Sequence, residues 1–247
     1  MCHRMSMSTP VLPTKLIKEC IIGEAFRDEI RELTDAGIKC HTFKSNLRLS
    51  DEVSAHADIN CINLGNGTFL ADTDVAGELS TKINGADIIS VGSIASPYPN
   101  DIGLNVFYDG ENIFCNTRHI NPELKAFAEG NNIKLVHTNQ GYTKCSICAV
   151  SGKAAITEDE GLASLLKIYQ YDILLIQKGF VALSDKHYGF IGGASALISP
   201  DKLYVSGDIS AHPDYELIKA FTDKYNVSLI YNKNRPLTDF GGIINII

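Results

Sequence analysis

Residues 59–91 read INCINLGNGTFLADTDVAGELSTKINGADIISV. Two apolar runs, Ile59–Leu64 and Thr68–Ala71, flank Gly65-Asn66-Gly67. Asn-Gly between such runs is the strongest short-range signal for a β-hairpin, because both turn residues tolerate positive φ. The pattern then changes period. Val75–Ile83 carries apolar residues at helical spacing behind an N-cap expected at Thr73 or Asp74, and Ile88–Val91 reads as a third strand. The unit is strand, turn, strand, helix, strand.

The unit recurs. Asp109-Gly110, Ser151-Gly152 and Ser199-Pro200-Asp201 follow Asn66-Gly67 at a spacing of roughly 42–49 residues, a repeat of one supersecondary module. The second copy has strands at Leu104–Tyr108 and Asn112–Cys115, a helix from Pro122 to Ala128, and a strand at Ile133–His137. Pro122 suits the first helical position, where its missing N–H is not needed. The third copy has Ser146–Val150, Ala154–Ile156, a helix from Glu158 to Ile168 and Ile173–Ile176. The fourth has Ala194–Ile198, Leu203–Val205, a helix from Pro213 to Lys224 and Val227–Tyr231.

The chain ends supply a fifth. Leu16–Ile22, a helix over Phe26–Ala36 and Ile38–Phe43 lack the unit's first strand, and Ile243–Ile247 provides it. Sharing one unit between the termini pairs both ends and leaves no module half-formed. The expectation is one α/β domain over residues 15–247, a closed ring of five units behind a disordered leader at 1–14. Function belongs where the units meet.

Composition narrows the class. Of 247 residues, 45% are hydrophobic and 21% charged, ordinary values for a globular chain with a full core. The net charge of −7 and the lack of a Lys/Arg run argue against nucleic acid. It suits a small cationic ligand. Seven scattered cysteines do not make a disulfide framework at this length, so reduced thiols in the cytoplasm are expected. Met1–Pro13 has no apolar h-region, and no apolar run reaches the length of a membrane span.

On this repeat the sequence resembles the pentein superfamily, the five-bladed α/β propellers. That group holds dimethylarginine dimethylaminohydrolase, the arginine and agmatine deiminases, the amidinotransferases and the non-enzymatic translation initiation factor 6. The resemblance implies an axial pocket lined where units join. These enzymes carry a His-x-Asp motif at one joint and a nucleophilic Cys two units later. His56-Ala57-Asp58 is similar to the first, and Cys145 lies about two repeats further on. Asp239-Phe240-Gly241-Gly242 is similar to their acidic-Gly-Gly segment. By that resemblance Cys145, His56 and Asp239 are the expected catalytic residues, and Asp58, Asp101, Asn105 and Ser195 the expected substrate contacts. No metal and no cofactor is implied.

The chemistry fits those residue types. A guanidinium carbon is a poor electrophile, so attack needs a thiolate, here from Cys145. His56 would protonate the departing amine and then activate water. Asp58 falls on the same side of an extended segment as His56 by the period-2 rule. Asp58, Asp101 and Asp239 would hold the cation by charge-assisted hydrogen bonds. Carboxylates around Cys145 should raise its pKa in the free protein, and a bound guanidinium should lower it. The expected activity is therefore a Cys-dependent hydrolase or amidinotransferase on a small guanidino compound.

Other readings remain open on the residues alone. His56 and Asp58 could cap and bridge a loop, and Cys145-Ser146-Ile147-Cys148 could be a redox or metal pair. The ring could also be a non-catalytic binder of a cationic metabolite or a protein. Cys20, Cys40, Cys61 and Cys115 read as core, and the glycines at 189–193 as a joint where backbones approach closely. Three departures from the enzymes stand out. The Cys lies mid-chain, which requires a circularly permuted subfamily. Ile243 follows Gly242 where an acidic residue is usual, and no long lid insertion is present.

Overall fold

The computed structural model describes residues 12–184 and 187–246. Most of the leader expected over 1–14 lies outside them, and Leu12 packs against the core while Pro13 is buried. Along the chain come β1 (Glu19–Gly23), α1 (Arg27–Asp35) and β2 (Lys39–Phe43). A single turn α2 (Ala57–Asn60) leads into β3 (Cys61–Gly65), β4 (Thr68–Ala71), α3 (Thr73–Ser80) and β5 (Asp87–Ser90). Next are β6 (Phe107–Tyr108), β7 (Asn112–Cys115), α4 (Pro122–Gly130) and β8 (Lys134–His137). They are followed by β9 (Cys148–Ser151), β10 (Ala154–Thr157), α5 (Glu160–Ile168) and β11 (Asp172–Leu175). The last are β12 (Ser195–Ser199), β13 (Lys202–Val205), α6 (Tyr215–Lys224), β14 (Ser228–Tyr231) and β15 (Ile244–Ile246).

These strands form five three-stranded sheets with one shared pattern. An inner strand pairs antiparallel with a middle strand, which pairs parallel with an outer strand reached through the helix. The parallel step needs a crossover, and the helix supplies it. The sheet β15-β1-β2, the first blade in chain order, is closed by the termini: Cys20 faces Asn245 and Ile21 faces Ile244 across an antiparallel ladder. The architecture is the five-bladed α/β propeller read from the repeat.

Its core is not central. Five hydrophobic clusters lie between neighbouring blades. Ile59, Leu70, Leu104 and Ile113 pack together between the second and third blades. Ile22, Leu33, Tyr204 and Phe240 pack between the fifth and the first, which completes the circle. Each blade therefore buries both faces against neighbours, and the five inner strands β3, β6, β9, β12 and β15 surround the axis. No helix among the described residues is long and apolar enough to cross a membrane.

Local chemistry explains the elements. The β3–β4 turn needs Asn66 at φ 53° and Gly67 at φ 76°. Asn121 caps α4 ahead of Pro122 by accepting from the N–H groups of Glu123 and Leu124. For α3 the cap is Asp72, not the expected Thr73 or Asp74. Its buried carboxylate accepts from Asp74 N at 3.0 Å while it takes both oxygens to Arg48, so an ion pair fixes it there.

Other boundaries move for similar reasons. Helix α5 begins at Glu160 behind an Asp159 cap, and α6 at Tyr215 behind a 3₁₀ turn over Ile209–Ala211. Three inner strands start later than their apolar runs predict: Ile59 and Asn60 belong to α2, and turns take the starts of β6 and β9. Residues 104–106 turn through Asn105 N to Ile102 O and Val106 N to Leu104 O, and residues 142–147 turn through Ser146 N to Tyr142 O. Strand pairing is given up at both places, beside the same cluster of polar side chains.

Candidate active site

That cluster forms at the joint of the second, third and fourth blades. Cys145 lies in the turn before β9, and Asn105 reaches it from the preceding blade. Asn105 Oδ1 accepts from the backbone N–H of Lys144 at 2.9 Å and of Cys145 at 3.3 Å. Its Nδ2 donates to the Cys145 sulfur at 3.0 Å and to the Asp58 carbonyl at 3.1 Å. The thiol in turn donates to Asp58 Oδ2 at 3.0 Å. Its partners are thus Asp58 and Asn105 rather than Cys148.

His56 precedes α2. The extended segment expected through His56-Ala57-Asp58 is instead a helical turn, held by Asn60 N donating to the His56 carbonyl at 3.3 Å and by Asp58 N donating to Gly241 O at 3.2 Å. The period-2 argument therefore fails, yet the side chains still converge. One ligand atom each from His56, Asp58 and Cys145 fall within 4.8 Å of one another. Phe26 packs on the imidazole with ring centroids 5.7 Å apart. His56 Nδ1 and Nε2 and Asp58 Oδ1 are buried without a hydrogen-bond partner. Buried polar atoms are nearly always paired, so three open ones at one point mark a place built to receive something else.

Asp239 approaches from the first blade's side. Its Oδ2 accepts from Phe190 N at 2.9 Å, its Oδ1 accepts from Gly241 N at 2.9 Å, and Oδ1 stands 3.7 Å from His56 Nδ1. The glycines make this possible. A Cβ on Gly193 would lie 2.1 Å from Asp239 Oδ1, and one on Gly189 2.2 Å from Asp239 Cβ. At φ +71° Gly241 sets its backbone against His56, where a Cβ would meet His56 Cβ at 2.4 Å. The close joint expected at 189–193 is the cradle of this carboxylate.

The remaining expected residues stand apart from the thiol's contacts. Asp101 is buried and accepts from the Tyr142 hydroxyl at 2.7 Å, with its Oδ1 unpartnered. Ser195 gives its hydroxyl to the Ile191 carbonyl at 2.7 Å and lines the axial cavity. That cavity, about 50 Å³, is bounded by all five inner strands and by Asp58 and Lys144. Of the cysteines read as core, Cys20, Cys61 and Cys115 are buried, and Cys40 is half-buried.

Electrostatics follow from burial. Asp58 is 1% exposed, and desolvation lifts its carboxyl to about 6 against the opposing charges of Lys144 and His56. Burial also pushes the Cys145 thiol well above its ordinary value, with Asp58 and Asp239 adding to it and Lys144 opposing. The two carboxylates act in the expected direction, and desolvation is the larger cause.

Two participants were missed. Lys144 adjoins Cys145 and acts on both Asp58 and the thiol. Glu158 accepts from Ile191 N at 3.2 Å, keeps Oε1 buried and unpartnered, and is pushed up to about 7, chiefly by burial. Lys144 was legible as the one charge beside the Cys145 candidate. Glu158 carries no signal in the sequence.

Comparison with known proteins agrees with this architecture. The family model described as "Family of unknown function (DUF6873)" matches residues 21–244. No curated protein matches the chain. Inosamine-phosphate amidinotransferase from Streptomyces griseus superposes with a TM-score of 0.57 at 12% identity, over 98% of this chain and 97% of that one. An amidinotransferase of the saxitoxin biosynthetic pathway from Microseira wollei gives 0.55 at 10%, over 96% and 92%. A dimethylarginine dimethylaminohydrolase from Pseudomonas aeruginosa, complexed with citrulline, gives 0.54 at 10%, over 87% and 92%. Such identities carry the fold, which is that of the pentein superfamily. The chain belongs to the DUF6873 family, and its fold is a five-bladed α/β propeller whose termini close one blade.

Proposed function

We propose that the protein is a Cys-dependent hydrolase or amidinotransferase acting on a small guanidino compound. One observation carries this reading: the Cys145 thiol, the His56 imidazole and the Asp58 carboxylate meet within 4.8 Å, with no hydrogen bond made by either imidazole nitrogen or by one carboxylate oxygen. An imidazole spent on capping a loop would have its nitrogens occupied. The fold is shared with enzymes whose printed names are amidinotransferase, dimethylarginine dimethylaminohydrolase and agmatine deiminase.

In this reading the guanidinium donates N–H groups to the Asp58 carboxylate, and its charge lowers the pKa of the adjacent thiol. The Cys145 sulfur attacks the guanidinium carbon and a C–S bond forms. The thiol proton passes to His56 and from there to the departing nitrogen as the C–N bond breaks, so the amine leaves neutral. A covalent amidino-thioester analogue, an S-alkylisothiouronium, remains on Cys145. Water, or an acceptor amine in the transfer reaction, attacks the same carbon while giving a proton to His56. The C–S bond then breaks, and His56 returns that proton to the sulfur. The adduct's own positive charge stays on the new guanidinium in transfer or leaves as a proton to the released amine in hydrolysis. Asp239, held by two backbone N–H groups, faces His56 Nδ1 and stabilises the imidazolium while it carries the proton. Asp101 accepts from the Tyr142 hydroxyl, and Asn105 orients the nucleophile. A thiol used this way needs a reducing setting, and we place the protein in the cytoplasm.

The test is incubation with guanidino acids, arginine, agmatine and methylarginines, with assay of ureido products and released amine. Product that forms with wild type and not with Cys145→Ser supports the reading. Turnover that survives Cys145→Ser overturns it, and ligand binding without any product favours the binder.

A further inference from the structure

The axial cavity has two charged residues among its described lining, Asp58 and Lys144, and otherwise mostly aliphatic walls with Asn63, Ser195 and Asn245. The polar groups differ in what they have left to give. Ser195 is spent on Ile191 O, and Asn63 donates to Asn245 O and accepts from Gly65 N at 2.7 Å. Asp58 Oδ1 is buried with no partner. Lys144 Nζ makes one long bond, 3.4 Å to Gly192 O, and forms no ion pair among the described residues. Asp58 and Lys144 thus border one small, mostly apolar cavity, and each keeps hydrogen-bonding capacity unfilled.

That pairing bears on what can enter. A plain alkylguanidinium would satisfy Asp58 but would bring a second cation towards Lys144 in a space holding only a few waters. A molecule with its own carboxylate satisfies both ends: guanidinium N–H to Asp58 Oδ1 and carboxylate to the ammonium. The cavity volume of about 50 Å³ limits the chain between them. We infer that the site takes a short-chain guanidino acid, a compact zwitterion, and that Lys144 is the residue that recognises its carboxylate. The inference rests on the reading of Cys145, His56 and Asp58 as a guanidino site.

Binding to the Cys145→Ser protein tests it without requiring turnover. Calorimetry compares guanidinoacetate and 3-guanidinopropionate with methylguanidine and ethylguanidine, and with arginine and agmatine. The short guanidino acids should bind about tenfold or more tightly than the alkylguanidines. Adding Lys144→Met should bring the two classes within about twofold, while Lys144→Arg should keep the preference, each checked by a melting curve. Equal binding of both classes, no binding of either, or a preference that survives Lys144→Met overturns the inference. Tight, Lys144-dependent binding with no product from wild type sinks the catalytic reading and leaves this one standing. Product from agmatine or arginine alone does the reverse.

Discussion

The Cys145 thiol donates a 3.0 Å hydrogen bond to Asp58 Oδ2, across 87 residues of sequence and two blades of the ring. Neither group favours its charged form there. Burial holds the carboxyl up at about 6 and pushes the thiol further above its ordinary value.

This has a consequence for stability. Asp58 is harder to ionise in the folded chain than in the unfolded one, where 3.8 is the reference. Its contribution to stability is therefore full at pH below about 4 and is lost as pH rises through about 6, a change of roughly 3 kcal/mol. Asp58→Asn should remove this loss, raise Tm at pH 7.5, and lower turnover by about a hundred-fold or more. Urea unfolding of both proteins at pH 4, 6 and 8 checks it. An Asp58→Asn protein less stable than wild type at pH 8 would contradict the burial argument.

The thiol's titration gives a second prediction. In the free protein Cys145 should react slowly with iodoacetamide at pH 7, and its rate should climb with pH beyond that of an ordinary cysteine. A saturating guanidino ligand should move the rise to lower pH, because a cation beside the sulfur opposes the two carboxylates. Peptide mapping after timed alkylation reads the residue directly. A fast Cys145 at neutral pH without ligand is the contrary result.

The glycine cradle predicts opposite outcomes for two Gly→Ala changes. Gly193→Ala places a methyl 2.1 Å from Asp239 Oδ1 and must displace that carboxylate, at a cost of about 1–3 kcal/mol and with loss of turnover. Gly77→Ala, on α3 with nothing within 4 Å of the new Cβ, should stabilise by about 0.5–1 kcal/mol and leave activity alone. Denaturant midpoints and product assays of the pair decide the matter.

Asn105 supplies a fourth. Asn105→Ala leaves the buried N–H groups at 144 and 145 without their acceptor and should destabilise by about 1–3 kcal/mol. Asn105→Asp keeps the acceptor but cannot donate to sulfur, and its charge raises the thiol pKa further. It also loses the donor to the Asp58 carbonyl and buries a charge, so it should be destabilised as well, yet alkylate more slowly at every pH where it is folded. Wild-type alkylation rates in Asn105→Asp would remove Asn105 from the orientation of Cys145.

Much of this was legible in the sequence. Hairpin turns at a steady period are set by local chemistry such as Asn66-Gly67, and local chemistry repeats visibly. The split blade followed from Leu16–Ile22 lacking the partner that Ile243–Ile247 could supply. At the site, resemblance to the motifs of known enzymes gave His56, Asp58, Cys145, Asn105 and Asp239 as candidates, and the fold places them near one another. The geometry between them was not legible. Tertiary hydrogen bonds, Asp58 N to Gly241 O and Asn105 Oδ1 to two N–H groups, override the strand pattern there and wind the chain into turns. Asp72 took the α3 cap for the same kind of reason, since Arg48 lies far away in sequence. Glu158 gave no sign because its one hydrogen-bond partner, the Ile191 N–H, lies 33 residues further along the chain.

The central claim is that the Cys145 sulfur bonds to the carbon of a guanidino group. Wild-type protein mixed with a short guanidino acid, quenched in acid within the first turnovers and measured by intact and peptide mass, should carry the amidino adduct on the peptide containing Cys145 and on none of the other cysteines. Product formed with no such adduct, or an adduct on another cysteine while Cys145→Ser still turns over, would contradict it.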